Sequence, residues 1–156
     1  NTASMAGLVS MPISAMYNVS KHSVVTLTET LYHDLSLLTN QVSASVLCPY
    51  FVPTNIDKKA SSPLSEEHQT PSQLIGDAFT AKAIAAGKVS SAQVAQMVFD
   101  ALSKDQFYIY SHPGAIETFK TRSEDITLPR NPTNPFAAKP EIGEMLGKKL
   151  RKAYKF

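Results

Sequence analysis

A tyrosine and a lysine stand four residues apart near the amino terminus, at Tyr17 and Lys21. In a helix this spacing places both side chains on one face. A free tyrosine has a pKa of about 10, and a neighbouring ammonium group stabilises the phenolate form. Such a pair could move a proton to or from an alcohol or carbonyl oxygen. Ser4 could hydrogen-bond the same oxygen if the loop between Ser4 and Tyr17 folds back.

The segment that carries this pair has the pattern of a long helix. Residues 15–38 contain no Gly or Pro, and Ser14 can act as the N-cap. Apolar residues recur at steps of three and four along one side, at Val24, Leu27, Leu31, Leu35 and Leu38. The pattern predicts one continuous helix with a single apolar stripe.

A short Val-rich run, residues 42–49, follows the helix and ends at a proline. This is typical of a strand that is buried on both faces, and a helix followed by such a strand predicts an α/β unit with a parallel sheet. Farther along, the patterns predict helices over 71–86, 91–103, 116–123 and 141–154, a strand over 107–112, and an irregular Pro-rich segment over 127–140.

The order of these features closely resembles the second half of the short-chain dehydrogenase/reductase family. The matching features are Ser4, the Gly7 loop, YNVSK from Tyr17 to Lys21, the run SVLCP that ends at Pro49, and Thr54. The resemblance implies a Rossmann-like three-layer α/β sandwich with a parallel sheet, of which this chain holds only the C-terminal half. Residues 1–126 would form that half, with a lid over about 50–87. Residues 127–156 would be the Pro-rich segment and a basic amphipathic helix.

The resemblance also implies three catalytic residues. Tyr17 matches the general acid/base, and Ser4 matches the residue that orients the substrate oxygen. Lys21 matches the residue that holds the nicotinamide ribose hydroxyls and stabilises the phenolate. The implied activity is the interconversion of a small-molecule alcohol and a carbonyl compound by an NAD(P)-dependent oxidoreductase.

A further set of residues would lie against the NAD(P) cofactor. Pro49, Val52 and Thr54 match the turn beside the nicotinamide, together with Tyr17 and Lys21 of the catalytic set. The sequence departs from the family at the next position, because Tyr50 stands where the family usually has Gly. The Gly-rich turn that seats the pyrophosphate is absent from the sequence, and so are the residue that separates NAD from NADP and the family's fourth catalytic residue, an Asn.

Two other functions remain open on the sequence, and a third is disfavoured. The chain could be a truncated, non-catalytic fragment that acts at most as an interaction module, or an epimerase or dehydratase that uses the same Tyr/Lys pair. A Ser/Lys hydrolase built on Ser4 or Ser20 with Lys21 is disfavoured, because Ser20 points away from the face of Lys21. The apolar residues of the lid region could line a substrate mouth or could equally pack locally; they are Tyr50, Phe51, Leu64, Leu74, Ile75 and Phe79.

Composition narrows the class of protein. A formal net charge of +2 is too small to indicate a nucleic-acid partner. The single cysteine, Cys48, predicts a core thiol and a cytoplasmic, reducing compartment.

The four histidines have no metal-ligand spacing, and no apolar run is long enough to predict stable membrane insertion. The sequence lacks an initiator Met and a signal peptide, and we expect a homo-oligomer when the protein is full length. The basic helix is predicted to be solvated or docked, with membrane-surface attachment as a minor alternative.

Overall fold

The computed structural model describes residues 1–56 and 69–155 as an α/β arrangement. Within those ranges the helices are α1 (Ala15–Leu38), α2 (Pro71–Ala85), α3 (Ser91–Leu102), α4 (Ile116–Thr127) and α5 (Pro140–Tyr154). The strands are β1 (Val46–Cys48) and β2 (Tyr108–Tyr110). Single 3-10 turns occur at Met5–Gly7 and Pro113–Ala115.

The two strands are parallel, with Leu47 paired to Ile109 at the centre of the register. The amino-terminal residues run along the other side of β1. Thr2 forms a parallel bridge with Leu47, and the backbone N–H of Ala3 donates to the Leu47 carbonyl over 2.8 Å. The predicted α/β class and the parallel sheet are therefore confirmed. The most deeply buried part of the sheet is β1, where Val46 and Cys48 are fully buried.

Most predicted elements have close counterparts in the structure. The helix over 15–38 is confirmed, and α2, α3 and α5 agree with prediction to within a residue or two at each end. Helix α4 extends four residues beyond the predicted 123. The strand over 42–49 is shorter than expected, because its ladder begins where the Val46 N–H donates to the Phe107 carbonyl. Val42 lies before that point and is exposed.

The predicted apolar stripe of α1 coincides only in part with the buried face of the helix, because Val24 packs against the core but other members of the stripe are exposed. Leu27 and Leu38 are 65% and 82% exposed, whereas Val25 and Thr28 are 5% and 0% exposed. The reason is that the Met5–Gly7 turn packs on the side of α1 that carries Val25. Ser14 occupies the N-cap position, but its side chain makes no capping hydrogen bond.

Helices α2 and α3 each begin with a capping box. In α2, the Thr70 side chain accepts from the Gln73 N–H while the Gln73 side chain accepts from the Thr70 N–H, and Ser90 and Gln93 repeat the arrangement in α3. Helix α5 packs against α2, where the Ser72 and Tyr154 hydroxyls lie 2.8 Å apart. In the described ranges, no helix is both long enough and apolar enough to cross a membrane.

Candidate active site

Ser4 and Pro49, which are 45 positions apart, meet at one end of β1. The Ser4 Oγ donates to the Pro49 carbonyl over 3.4 Å and accepts from the Ala6 N–H over 3.2 Å. The Met5 N–H donates to the same Pro49 carbonyl over 2.9 Å. The turn that carries Ser4 is therefore tied to the turn after β1.

Gly7 docks the Ser4 turn onto α1. A Cβ atom at Gly7 would lie 2.6 Å from the Lys21 carbonyl oxygen and 2.8 Å from the Val25 Cγ2. The described glycines have no positive φ, so close approach, not backbone conformation, requires glycine at this position. Sequence reasoning noted the Gly7 loop but missed this role. A glycine between Ser4 and the start of the helix is the signal that could have revealed it.

Tyr17 and Lys21 lie one turn apart on α1, as the spacing predicts. The Lys21 ammonium nitrogen is 5.7 Å from the centre of the Tyr17 ring, within cation–π range. Tyr17 is 46% exposed, and Lys21 is partly buried. The Ser20 Oγ donates to the Tyr17 carbonyl over 2.8 Å. Because this bond holds the hydroxyl on the helix backbone, the geometry gives no support to a Ser/Lys nucleophile at Ser20.

The turn after β1 carries the other predicted cofactor residues. Val52 is partly buried, whereas Thr54 is exposed and its Oγ accepts from the Ile56 N–H over 3.4 Å. Gly87 lies directly on this turn, since a Cβ there would be 2.6 Å from the Phe51 carbonyl oxygen. The end of the predicted lid region therefore packs against the predicted cofactor turn.

Helix α2 approaches the segment that leads into α1. A Cβ atom at Gly76 would lie 3.3 Å from the Ile13 Cγ2, and Ile13 has a left-handed φ of 65°. Among the predicted mouth residues of α2, Leu74 is 44% exposed, and Ile75 and Phe79 are partly buried. Leu64 lies outside the described residues.

Three aromatic side chains meet where β1 and β2 end. The Tyr50 ring is 4.4 Å from the Phe51 ring and 5.7 Å from the His112 ring, measured between centroids. The Tyr50 N–H donates over 2.9 Å to the Ser111 hydroxyl, which also lies 2.8 Å from the His112 Nδ1. Burial raises the pKa of the Tyr50 phenol. No metal-ligand spacing was found among the four histidines, of which His112 is one, and sequence reasoning did not connect His112 with Tyr50.

Cys48 is a fully buried free thiol, as predicted for a core residue. Burial raises its pKa to about 11, although a hydrogen bond from the Ser4 backbone opposes this shift. The charge of Glu29 adds to the increase. Across residues 1–56 and 69–155, no group of three or more His, Cys, Asp or Glu side chains could hold a metal ion.

Comparison with known proteins finds several relatives. The sequence model of the family described as short chain dehydrogenase matches residues 1–65. The CLA biosynthesis dehydrogenase/reductase of Lactiplantibacillus plantarum is 34% identical over 120 residues, which are 72% of this chain and 42% of that protein. The 1-deoxy-11-beta-hydroxypentalenate dehydrogenase of Streptomyces exfoliatus is 31% identical over 126 residues, which are 81% of this chain and 39% of that protein. The chain thus spans less than half the length of these curated relatives.

A solved structure gives the same result in three dimensions. A short chain dehydrogenase/reductase from Burkholderia phymatum, in complex with NAD, shares 46% sequence identity and superposes with a TM-score of 0.81. The match covers 86% of this chain and 50% of that one. The fold is therefore a Rossmann-type α/β fold with a parallel sheet. The chain belongs to the short-chain dehydrogenase/reductase family.

Proposed function

We propose that this chain supplies the proton-transfer residues of an NAD(P)-dependent oxidoreductase that interconverts an alcohol and a carbonyl compound. The observation that carries the proposal is the docking of the Ser4 turn onto α1. Gly7 lies against the carbonyl of Lys21, and the Lys21 ammonium lies 5.7 Å from the Tyr17 ring. The family motif assigns Ser4, Tyr17 and Lys21 to one reaction, and the two elements that carry them, the Ser4 turn and α1, pack directly against each other.

In this proposal Tyr17 passes a proton to the substrate oxygen during reduction and takes it back during oxidation. The Ser4 hydroxyl exchanges its long bond to the Pro49 carbonyl for a bond to that oxygen, and holds it near the phenol. Lys21 stabilises the phenolate form of Tyr17 by its positive charge. The half-exposed Tyr17 ring leaves the phenol open to a substrate.

The accessible polar groups of this chain are suited to a nicotinamide cofactor, which supplies or accepts the hydride when bound. Lys21 has no ion pair within the described ranges, so its ammonium is available for ribose hydroxyls. Thr54 is exposed, and the one side-chain hydrogen bond that it makes within the described residues is long. We assign the adjoining contacts to Pro49 and Val52. The NAD in the Burkholderia phymatum relative supports a nicotinamide and leaves both NAD and NADP as candidates.

Titration with NADH and NADPH, followed by nicotinamide fluorescence, tests cofactor binding by this chain. We expect saturable binding that weakens in Lys21→Ala and persists in Tyr17→Phe. Lys120→Ala is the matched control, because Lys120 is an exposed helical lysine that pairs with Glu117. Absence of saturable binding by the unaltered chain would contradict the cofactor part of the proposal.

Turnover is tested with a panel of alcohols and carbonyl compounds. Where turnover occurs, Tyr17→Phe should lower kcat by at least about a hundredfold, because the variant loses the proton donor. The fold should be retained, since the Tyr17 hydroxyl makes no hydrogen bond within the described residues. Turnover of Tyr17→Phe at nearly the parental rate would show that Tyr17 is not the acid/base. Product analysis would distinguish oxidoreduction from epimerisation or dehydration.

A non-catalytic interaction role is the second candidate, and the outer side of α1 favours it. An open groove of about 710 Å³ follows this helix, lined by residues that include Val19, Leu27 and Arg122. Asn18 and His22, also in its lining, each have a buried polar atom that finds no hydrogen-bond partner among residues 1–56 and 69–155. A groove of this kind is suited to another polypeptide segment. This role predicts no nicotinamide binding by the chain alone.

We also propose a cytoplasmic location and, for the full-length protein, a homo-oligomer. For the location we rely on the cysteine content, because a sequence with the single cysteine Cys48 fits a reducing compartment. The oligomer is supported by the exposed leucines of α1. The division into a half-domain over 1–126 and a separate segment over 127–156 also remains a proposal.

A further inference from the structure

We propose that Tyr50, with Phe51 and His112, forms a binding wall for a flat apolar group, aryl or conjugated, attached to the carbon that reacts. The inference rests on the proposed function, because it places the substrate beside Ser4. It adds a substrate class and assigns a use to the residue that replaces the family's usual glycine.

The first support is the position of Tyr50 at the site. It directly follows Pro49, whose carbonyl accepts hydrogen bonds from the Ser4 hydroxyl and the Met5 N–H. The turn that presents the Tyr50 ring is thus the same turn that holds Ser4. A substrate oxygen bound to Ser4 would have the Tyr50 turn as its neighbour.

The second support is that the wall is held rigidly. The Tyr50 N–H donates to the hydroxyl of Ser111, which is only 1% exposed and also lies 2.8 Å from the His112 Nδ1. Ser111 and His112 follow β2 directly, so the sheet itself fixes the spacing between them and Tyr50. A preorganised wall loses little conformational freedom when a ligand binds.

The third support is the chemistry of the rings. Tyr50 packs against His112 edge to face, with 68° between the ring planes, and against Phe51 at 57°. Aromatic pairs favour such edge and offset arrangements over a face-to-face sandwich, and they add stabilisation beyond that of the area that they bury. Tyr50 is nevertheless 45% exposed, so part of its ring remains open to a further partner. A flat aromatic or conjugated group can make the same edge or offset contact there, whereas a puckered ring of equal size makes only the weaker apolar contact.

Binding of benzyl alcohol to this chain, followed by NMR, tests the inference without requiring turnover. Cyclohexylmethanol serves as the non-planar control probe. We expect benzyl alcohol to shift the Tyr50 and His112 ring signals saturably and to bind more tightly than cyclohexylmethanol. Tyr50→Ala should weaken benzyl alcohol binding about three- to tenfold, whereas Tyr50→Phe should stay within about twofold.

The matched control variant is Tyr154→Ala. Tyr154 is 45% exposed, as Tyr50 is, but it lies on α5 and contacts Ser72. Unchanged affinity in Tyr154→Ala together with a loss in Tyr50→Ala supports the wall. If Tyr50→Ala does not fold, intermolecular NOEs between the benzyl ring and Tyr50 in the unaltered chain decide the question.

Several results would overturn the inference. These are no saturable shift at Tyr50, equal affinity in Tyr50→Ala, or equal binding of the two probes. Displacement of benzyl alcohol by NADH with the same Tyr50 shifts would overturn it as well, because the wall would then belong to the nicotinamide. Failure of NADH binding with benzyl alcohol still bound at Tyr50 would instead count against the proposed cofactor and leave the wall standing.

Discussion

The two faces of α1 differ in their burial and in the contacts that they make with the rest of the structure. The inner face carries Val25 and Thr28, and the Gly7 turn packs directly against its backbone. The outer face carries Leu27 and Leu31, which are 65% and 41% exposed. The Gly7 contact, Val25 and Thr28 therefore position the helix, whereas Leu27 and Leu31 do not. Close backbone approach and a buried hydroxyl decide how this helix is oriented within the described structure.

The largest loss of unfolding free energy is expected for Gly7→Ala, because this substitution disrupts the packing of the Gly7 turn on the inner face of α1. The new methyl group would lie 2.6 Å from the rigid Lys21 carbonyl. We expect a loss of about 3 kcal/mol in unfolding free energy, at the upper end of the usual overpacking range. Urea denaturation measures this loss. Gly114→Ala is the matched control, because a Cβ there would have no neighbour within 4 Å. Equal stability of the two variants would refute the close approach.

A smaller effect is expected for Thr28→Ala on the same face. The Thr28 hydroxyl donates to the Val24 carbonyl over 2.6 Å and accepts from the Asn1 side chain over 3.0 Å. Its removal should cost about 1–2 kcal/mol, because a hydroxyl at a fully buried position loses both of its hydrogen bonds. Thr30→Ala is the control, since Thr30 makes a similar bond to the Thr26 carbonyl but is exposed. Similar denaturation midpoints for the two variants would show that the buried hydroxyl of the inner face stabilises the fold no more than the exposed hydroxyl of Thr30 does.

The smallest effect is expected for Leu27→Gln on the outer face. An exposed substitution of this kind should change the unfolding free energy by less than about 0.5 kcal/mol. Val25→Gln, two residues away on the inner face, should be strongly destabilising by comparison. If Leu27→Gln lowers the denaturation midpoint as much as Val25→Gln does, the outer face is covered in solution. The contrast between the two faces would then be wrong.

The bounds of α1 and the Tyr17–Lys21 pairing are local properties, which is why the sequence was sufficient to predict them. The absence of Gly and Pro over 15–38 and a spacing of four residues determine both. The buried face could not be predicted in the same way. The leucine repeat indicates where a helix is apolar, but the packing of Gly7 on Lys21 depends on a turn that lies outside the helix.

The cluster of Tyr50, Phe51 and His112 also could not be predicted from local patterns, because its contacts join residues that are far apart in the sequence. Tyr50 was recognised as a departure from the family, but its partner Ser111 lies 61 positions away. Only the parallel register of β1 and β2 brings the ends of the two strands together. No local pattern around His112 indicates this contact. The family motif predicted the individual site residues, and the sheet determines which of their neighbours meet.

The parallel sheet also has a consequence for the order of folding. Helix α1 is stabilised by contacts between near neighbours, so it can form within microseconds. The strand contacts join residues 44 and 61 positions apart, and such long loops must close before those contacts contribute any stability. The Ser4–Pro49 junction needs these long-range contacts, whereas Tyr17 and Lys21 can pair as soon as the helix exists. We therefore expect the junction to form after the proton-transfer pair.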